Sequence, residues 1–325
     1  MKQTLPCALR IAALSLLTVP GLHAAPKSVP DPKDEITPVV TSSAESTPPP
    51  SQEFLMEGSI TGKSDVKQGN AQYGGVSNIN SHVNYVISPQ IKEGLLMRVG
   101  VDYNRNSFGL YDNAVLPNTL QSTNLIIGAD MAIGDRIIMR VEAHPGLYSD
   151  FVSITGSDFD MPVQIGGTYL YSKDLQFIFG IQIDLKSNLP LIGLPGVRWQ
   201  FAKDWVLSAI PPKPQLQYLV NRSLTLYVGA DLLGGTYHLN NNFGNDHGNT
   251  QMNGNIVDFA EVRVGGGVTW KVTPNLSLDV SGGYVPYRSF EIHADQIGYG
   301  TFKTKTQSQF SDGAPYAQVG LSGSF

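Results

Sequence analysis

The sequence predicts an all-β chain folded as a transmembrane antiparallel up-and-down β-barrel of fourteen strands. Three observations carry that expectation: few charges without long apolar runs, apolar–polar alternation with a period of two, and connections that sort into short and long. Of the 325 residues only 15% are charged, against roughly 25% in ordinary soluble domains. Mean hydropathy nevertheless stays near zero, and no internal stretch approaches the ~18–20 apolar residues that a spanning helix needs.

The N-terminus reads as an export signal. Lys2 and Arg10 give a basic start, Ile11 to Val19 form a short apolar core, and Pro20-Gly21 precedes Leu22-His23-Ala24-Ala25. The run is too short to span and has the polarity of a secretory signal, so residues 1–24 are expected to be removed after Sec-type export. Cys7, the single cysteine, precedes the apolar core, where a lipoprotein cysteine does not sit. Cleavage leaves a chain without disulfide, thiolate nucleophile or cysteine-based metal site. It also leaves 20 basic against 27 acidic residues, a net charge of −7, which argues against a nucleic-acid partner. Residues 25–53 carry seven prolines and read as a disordered periplasmic linker leading to a barrel at 54–325.

Within the barrel region apolar and polar residues alternate. Tyr85, Val83 and Ile79 oppose Asn84, His82, Asn80 and Asn78. Leu95, Met97, Val99, Val101 and Tyr103 oppose Arg98, Gly100, Asp102 and Asn104. Ile137, Met139 and Val141 oppose Arg136, Arg140, Glu142 and His144, and Phe177, Phe179 and Ile181 oppose Gln176, Gly180, Gln182 and Asp184. Such segments of about 9–11 residues suit bilayer-crossing strands. The pattern places strands at 54–62, 73–87, 95–107, 119–133, 136–148, 161–171, 175–185, 191–201, 205–211, 214–220, 224–239, 254–270, 276–290 and 313–325. The pair at 205–220 is the weakest, because Pro211, Pro212 and Pro214 remove ladder donors. It reads as a short hairpin with its prolines at a low outer rim, and twelve strands is the fallback.

Connection length separates this pattern from a soluble sandwich. Short connections fall at 88–94, 134–135, 172–174, 202–204, 221–223 and 271–275. Longer polar loops fall between them at 63–72, 107–118, 149–160, 240–253 and 291–312, as at the periplasmic and extracellular rims of an outer-membrane barrel. Trp199, Trp205 and Trp270, with Tyr85 and Tyr171, all lie beside short connections, where aromatic rings favour the membrane interface. The last strand alternates from Pro315 to Phe325. Its terminal Phe325 resembles the signal by which the barrel-assembly machinery takes up outer-membrane proteins, and implies that machinery and the lipid bilayer as partners, with a monomer expected.

The stretch 194–237 contains Pro195-Gly196-Val197-Arg198-Trp199, Trp205, the Pro212–Pro214 segment and the Leu224–Asp231 strand. On these features the chain resembles an uncharacterised family of bacterial outer-membrane barrels carried as a domain of unknown function, over roughly residues 70–325. The resemblance implies a structural framework and brings no catalytic or binding residues.

No catalytic constellation emerges from the residues. There is no G-x-S-x-G, no H-E-x-x-H and no paired-histidine metal spacing. His82 and His144 fall on the inward register, His238 follows after the Gly234-Gly235 irregularity, and His247 and His293 lie in or beside loops. The Asn/Asp/Gly run at 240–254 lacks the calcium-loop spacing and reads as turn chemistry. No cofactor is implied. The inward register instead carries Arg98, Arg136, Arg140, Arg198 and Arg263 against Asp102, Asp130, Glu142, Asp184, Asp231, Glu261 and Asp279, with His144 beside them.

Charges enclosed by a barrel must pair, so this set reads either as a stiffening network or as a polar pore lining. The expectation is an outer-membrane channel or transporter for small polar or amphipathic solutes. Loop 291–312, with Lys303 and Lys305, is long enough to constrict it. The rivals are a non-conducting structural or adhesion barrel and an outer-membrane hydrolase.

Overall fold

A computed structural model describes residues 51–68, 71–112, 114–294 and 305–325. The expected signal peptide, most of the proline-rich linker and Lys303 lie outside the described residues. Among the described residues no helix is long and apolar enough to cross a membrane.

Fourteen strands run antiparallel in sequence order: β1 (Ser51–Gln68), β2 (Ala71–Ser88), β3 (Leu95–Tyr111), β4 (Thr119–Ile133), β5 (Ile137–Ala143, resuming at Gly146–Ser149), β6 (Phe159–Asp160, then Val163–Leu170) and β7 (Leu175–Ile183). They continue through β8 (Leu191–Gly193, then Gly196–Ala202), β9 (Trp205–Ala209), β10 (Gln215–Leu219), β11 (Leu224–His238), β12 (Ile256–Thr273), β13 (Leu276–His293) and β14 (Lys305–Ser311, then Ala314–Ser324). Each strand pairs with its neighbours, and β14 pairs back onto β1 from Thr61↔Tyr316 to Glu53↔Ser324, so the sheet closes. Closure is what lets a sheet sit in hydrocarbon, because it leaves no edge of unpaired N–H and C=O groups.

The number and order of strands agree with the alternation, but several boundaries differ. β1 starts at Ser51, inside the expected linker. The expected loops at 63–72, 107–118 and 291–312 are trimmed by strands that extend to Gln68, Tyr111 and His293 and resume at Ala71 and Lys305. Polar strand ends caused the misreading. Lys63 pairs with Asp112 across the tips of β1 and β3, and its ammonium lies over the Tyr111 ring, so charged residues there decorate a ladder. At the opposite end the connections are tight, as at Gly134, whose φ of +63° supplies the left-handed conformation of a two-residue turn.

Strand height is uneven. β1, β2, β12 and β13 run 18 residues each, whereas β9 and β10 run five. At the outer end His238 of β11 pairs in parallel with Ser149 of β5, over the ends of the five strands between them. Lys213, between the prolines of the β9–β10 hairpin, turns inward to the Glu57 carboxylate at 2.5 Å.

The outward face is apolar. Met56, Ile60, Ile79, Val99, Val101, Leu125, Phe179, Val228, Val280 and Val319 are all exposed on it. Trp199, Trp205, Trp270, Tyr85 and Tyr171 are also exposed, beside the short turns, and Trp205 packs on Tyr218 with ring centres 5.0 Å apart. This apolar wall with aromatics at one rim is the surface a bilayer requires. The C-terminus completes it: the Phe325 and Gln52 backbones exchange N–H···O bonds of 2.9 and 2.8 Å, and the Phe325 ring stacks on Phe54. Removing Phe325 is therefore expected to open the lower end of the β1–β14 seam. The check is the heat-modifiable band on mild-detergent gels, which should fall in yield against wild type.

Candidate functional site

The inside of the barrel is where side chains of different strands converge, and it falls into two layers. Nearest the short turns, Arg98 on β3 donates through Nε to Glu142 on β5 and lies 3.3 Å from Glu53 on β1. Arg140 grips Asp130 with two bonds of 2.7 Å, and Asp130 also sits 3.7 Å from Arg98. His144 lies 3.6 Å from Glu142. Asp279 accepts from Tyr227 and Thr269, both at 2.7 Å.

Midway up, two further groups follow. His82 bonds Asp102 at 2.8 Å and faces Glu57, which binds Lys213; Lys213 in turn lies 3.7 Å from Asp231. On the β12–β13 wall, the two oxygens of Glu261 accept one bond each from Nε of Arg263 and of Arg288, both at 2.6 Å. Arg263 also donates to Gln318 and carries its guanidinium over the Tyr316 ring. Arg98, Arg263 and Arg288 are at most 1% exposed. A buried guanidinium is tolerated only where carboxylates face it, and each of the three has one. A ladder of asparagines, Asn78 to Asn106 and Asn80 to Asn104, continues the polar lining outward between β2 and β3.

The outer layer is apolar, which corrects the expectation of a polar interior throughout. Phe108 of β3, Phe259 of β12 and Phe290 of β13 pack against one another with centroids 5.2–5.4 Å apart. Val66, Val76, Leu120, Tyr148, Tyr237, Val257 and Ile292 surround them. Two connections complete this cluster from above. Residues 114–118 contribute Leu116, and residues 239–255, which include the short helix α1 (Phe243–Asp246), contribute Leu239, Phe243 and Met252. Among the described residues, 239–255 and 114–118 cap the lumen. Between the layers lies a cavity of about 40 Å³ lined by His82, Asp102, Asn124, Tyr148, Gln182 and Asp184, with room for a few waters at most.

The remaining candidates join none of the ion-pair groups nearest the short turns or midway up. Arg136 is exposed at the turn before β5. Arg198 is half-buried on β8 and makes no ion pair among the described residues. Asp184 binds the backbone N–H groups of Lys186 and Ser187, closing the β7–β8 loop. His238 and His293 pair with Asp158 and Asp258 near the outer rim. Among the described residues no group of three or more His, Cys, Asp or Glu side chains is arranged to hold a metal ion.

Sequence reasoning missed Glu53, Glu57, Lys213 and Arg288. Arg288 was hidden by a register shift: Val262 pairs with Tyr287 but Val264 with Tyr284, so β13 carries an extra residue beside Pro286. The bulge turns every later side chain of β13 to the opposite face, and Pro286 was the available signal.

The fold is similar to several solved structures. The COG4313 outer membrane channel from Pseudomonas putida F1 aligns at 9% identity over 90% of this chain and 100% of that chain, with a TM-score of 0.43. The toluene transporter TbuX of Ralstonia pickettii aligns at 10% identity over 84% and 89%, with a TM-score of 0.38. A FadL homologue of Pseudomonas aeruginosa aligns at 10% over 85% and 89%, with a TM-score of 0.29. At these identities each is a resemblance between barrels. No curated protein matches the sequence. Residues 62–323, from the outer part of β1 almost to the end of β14, match the family described as Domain of unknown function (DUF6268), and the chain belongs to that family.

Proposed function

We propose that this barrel is an outer-membrane channel or transporter for small polar or amphipathic solutes, held closed in the conformation described. The observation that carries this reading is the makeup of the outer seal. Part of it belongs to the wall, but Leu116, Leu239, Phe243 and Met252 come from connections that can be displaced without breaking the strand ladder. Eight strands are filled by their own side chains, and fourteen enclose more; here connecting segments supply part of the filling. Below the seal, Arg98, Asp102, Asp130, Arg140, Glu142, His144, Asp231, Glu261, Arg263 and Asp279 would line the path once it opens.

The test is conductance in planar bilayers. The wild-type protein is expected to give rare, small openings. A variant with 243–252 replaced by a short Gly-Ser linker is expected to give long, larger ones. No current from either would overturn the channel reading in favour of a structural barrel, which the paired and fully buried arginines also support.

A hydrolase has less support. His82, His238 and His293 bond carboxylates, His247 bonds the Phe243 carbonyl, and His144 faces Glu142. We further infer Sec-type export with loss of residues 1–24, a Pro-rich periplasmic lead, and insertion as a monomer by the barrel-assembly machinery through β14.

A further inference from the structure

The ladders of β6 and β7 are too short to cross the membrane by themselves. The ladder segment Val163–Leu170 of β6 has eight residues. At about 3.3 Å per residue and a tilt of about 40°, it rises roughly 20 Å, short of the ~25 Å apolar band of such barrels. The same arithmetic gives β1, with its 18 residues, roughly 45 Å.

Directly above these ladders stand two connecting stretches: residues 150–162, which include the short Phe159–Asp160 piece of β6, and residues 184–195, which include the Leu191–Gly193 piece of β8. Their exposed side chains are unlike those of an aqueous loop. Val152 is 73% exposed, Ile154 58%, Phe159 53%, Met161 53%, Leu185 67% and Leu191 64%. The most exposed side chains of 151–161 and 185–195 are uncharged; Asp158 is buried, and Asp160 and Lys186 are half-buried and bonded to backbone groups of these stretches. The connection above β11–β12 shows the contrast: its exposed residues include Asn241, Asn242, Asn245, Asp246, His247, Asn249 and Gln251, all polar. The two apolar connections also continue the outward face of Ile165, Phe179 and Ile181.

We propose that these two stretches lie within the outer leaflet, with Val152, Ile154, Phe159, Met161, Leu185 and Leu191 against lipid acyl chains, and so complete the membrane-spanning height over β6 and β7. Irregular backbone survives at that depth only where its polar groups are satisfied from within the protein, and side chains supply that service here. Asp150 accepts from the Val152 N–H, Asp158 from Thr155, Asp160 from Met161, and Asp184 from Lys186 and Ser187. Asp258 of β12 accepts from Asn188 at 2.8 Å. The Lys186 ammonium donates to the carbonyls of Ser157 and Phe159, tying one connection to the other.

The test uses single nitroxide labels on the full chain in a Cys7→Ser background, reconstituted into dioleoyl-phosphatidylcholine vesicles. Ile154→Cys and Leu191→Cys are compared with Ile181→Cys on the apolar wall and Gln251→Cys on the polar connection. Collision rates with oxygen and with a water-soluble nickel chelate report depth. Labels at 154 and 191 are expected to match 181, with oxygen collisions dominant. Labels at 154 and 191 that match 251, with nickel collisions dominant, would overturn the proposal. Because only purified protein and lipid are present, that result would also redirect the surface to a protein partner. Neither outcome depends on whether the barrel conducts.

Discussion

Glu261→Ala is expected to leave little or no folded barrel. The Glu261 carboxylate is the shared partner of Arg263 and Arg288, each bonded through Nε at 2.6 Å and each buried. Breaking one buried pair by removing its partner costs about 3–5 kcal/mol, because an uncompensated charge stays behind. Here one substitution strands two guanidinium groups, and proteins have only about 5–15 kcal/mol of stability to lose. Glu261→Gln, which keeps the shape and loses the charge, should fall between. The informative companion removes all three groups together, as Glu261→Leu, Arg263→Met and Arg288→Leu, since apolar replacements of buried ionic triads are often neutral. Urea unfolding in detergent, followed by heat-modifiable migration, should rank wild type and the triple variant above Glu261→Gln, with Glu261→Ala lowest. A Glu261→Ala protein as stable as wild type would remove the ionic layer from the account of what holds the interior.

The second large effect is expected at the aromatic seal. Phe→Ala in a packed core costs about 3–5 kcal/mol, and Phe108, Phe259 and Phe290 each touch the other two. Their losses should therefore not add: once one ring is gone, the next has fewer contacts left to lose. The functional consequence runs the other way. Each truncation thins the apolar layer between the outside and the charged layer, so single-channel recordings should show open probability rising from wild type through Phe108→Ala to the Phe108→Ala/Phe290→Ala pair. Stability falling without any gain in current would mean that the layer serves only to hold the walls together.

These two sites also mark where the sequence was legible. Alternation in β3 and β5 identified Arg98, Asp102, Arg140 and Glu142 as inward, because those strands keep one register and sit opposite plainly apolar faces. It also gave the strand number. It failed where one residue changes the parity: Arg288 lies past the bulge at Pro286, and a period-two reading carried through that point assigns it to the wrong face. Lys213 was lost for a different reason. Its prolines argued correctly for a short hairpin, but nothing local says which way a hairpin tip turns; that is decided by the carboxylates of Glu57 and Asp231 on distant strands. The outer seal was misread because a polar–apolar count treats the inward register as one surface. Phe108 stands on the same face as Asp102 and Asn106, and the change from polar to apolar along that face was visible in the order of residues.

On the channel reading proposed above, the closed ladder sets the terms of opening. A ring of fourteen hydrogen-bonded strands spaced about 4.8 Å apart has a fixed perimeter, so its enclosed area can change only through its shape. Phe108 stands on a wall remote in strand order from the one bearing Phe259 and Phe290, yet the rings touch, so at that height aromatic side chains bridge the lumen. A flattened ring encloses less area than a round one of equal perimeter. A rounder outer end would part the two walls and draw the aromatic rings out of contact while the antiparallel ladders stay paired. The cost of opening then lies in apolar packing and in the His238–Ser149 pairing, while the antiparallel ladders remain in both shapes.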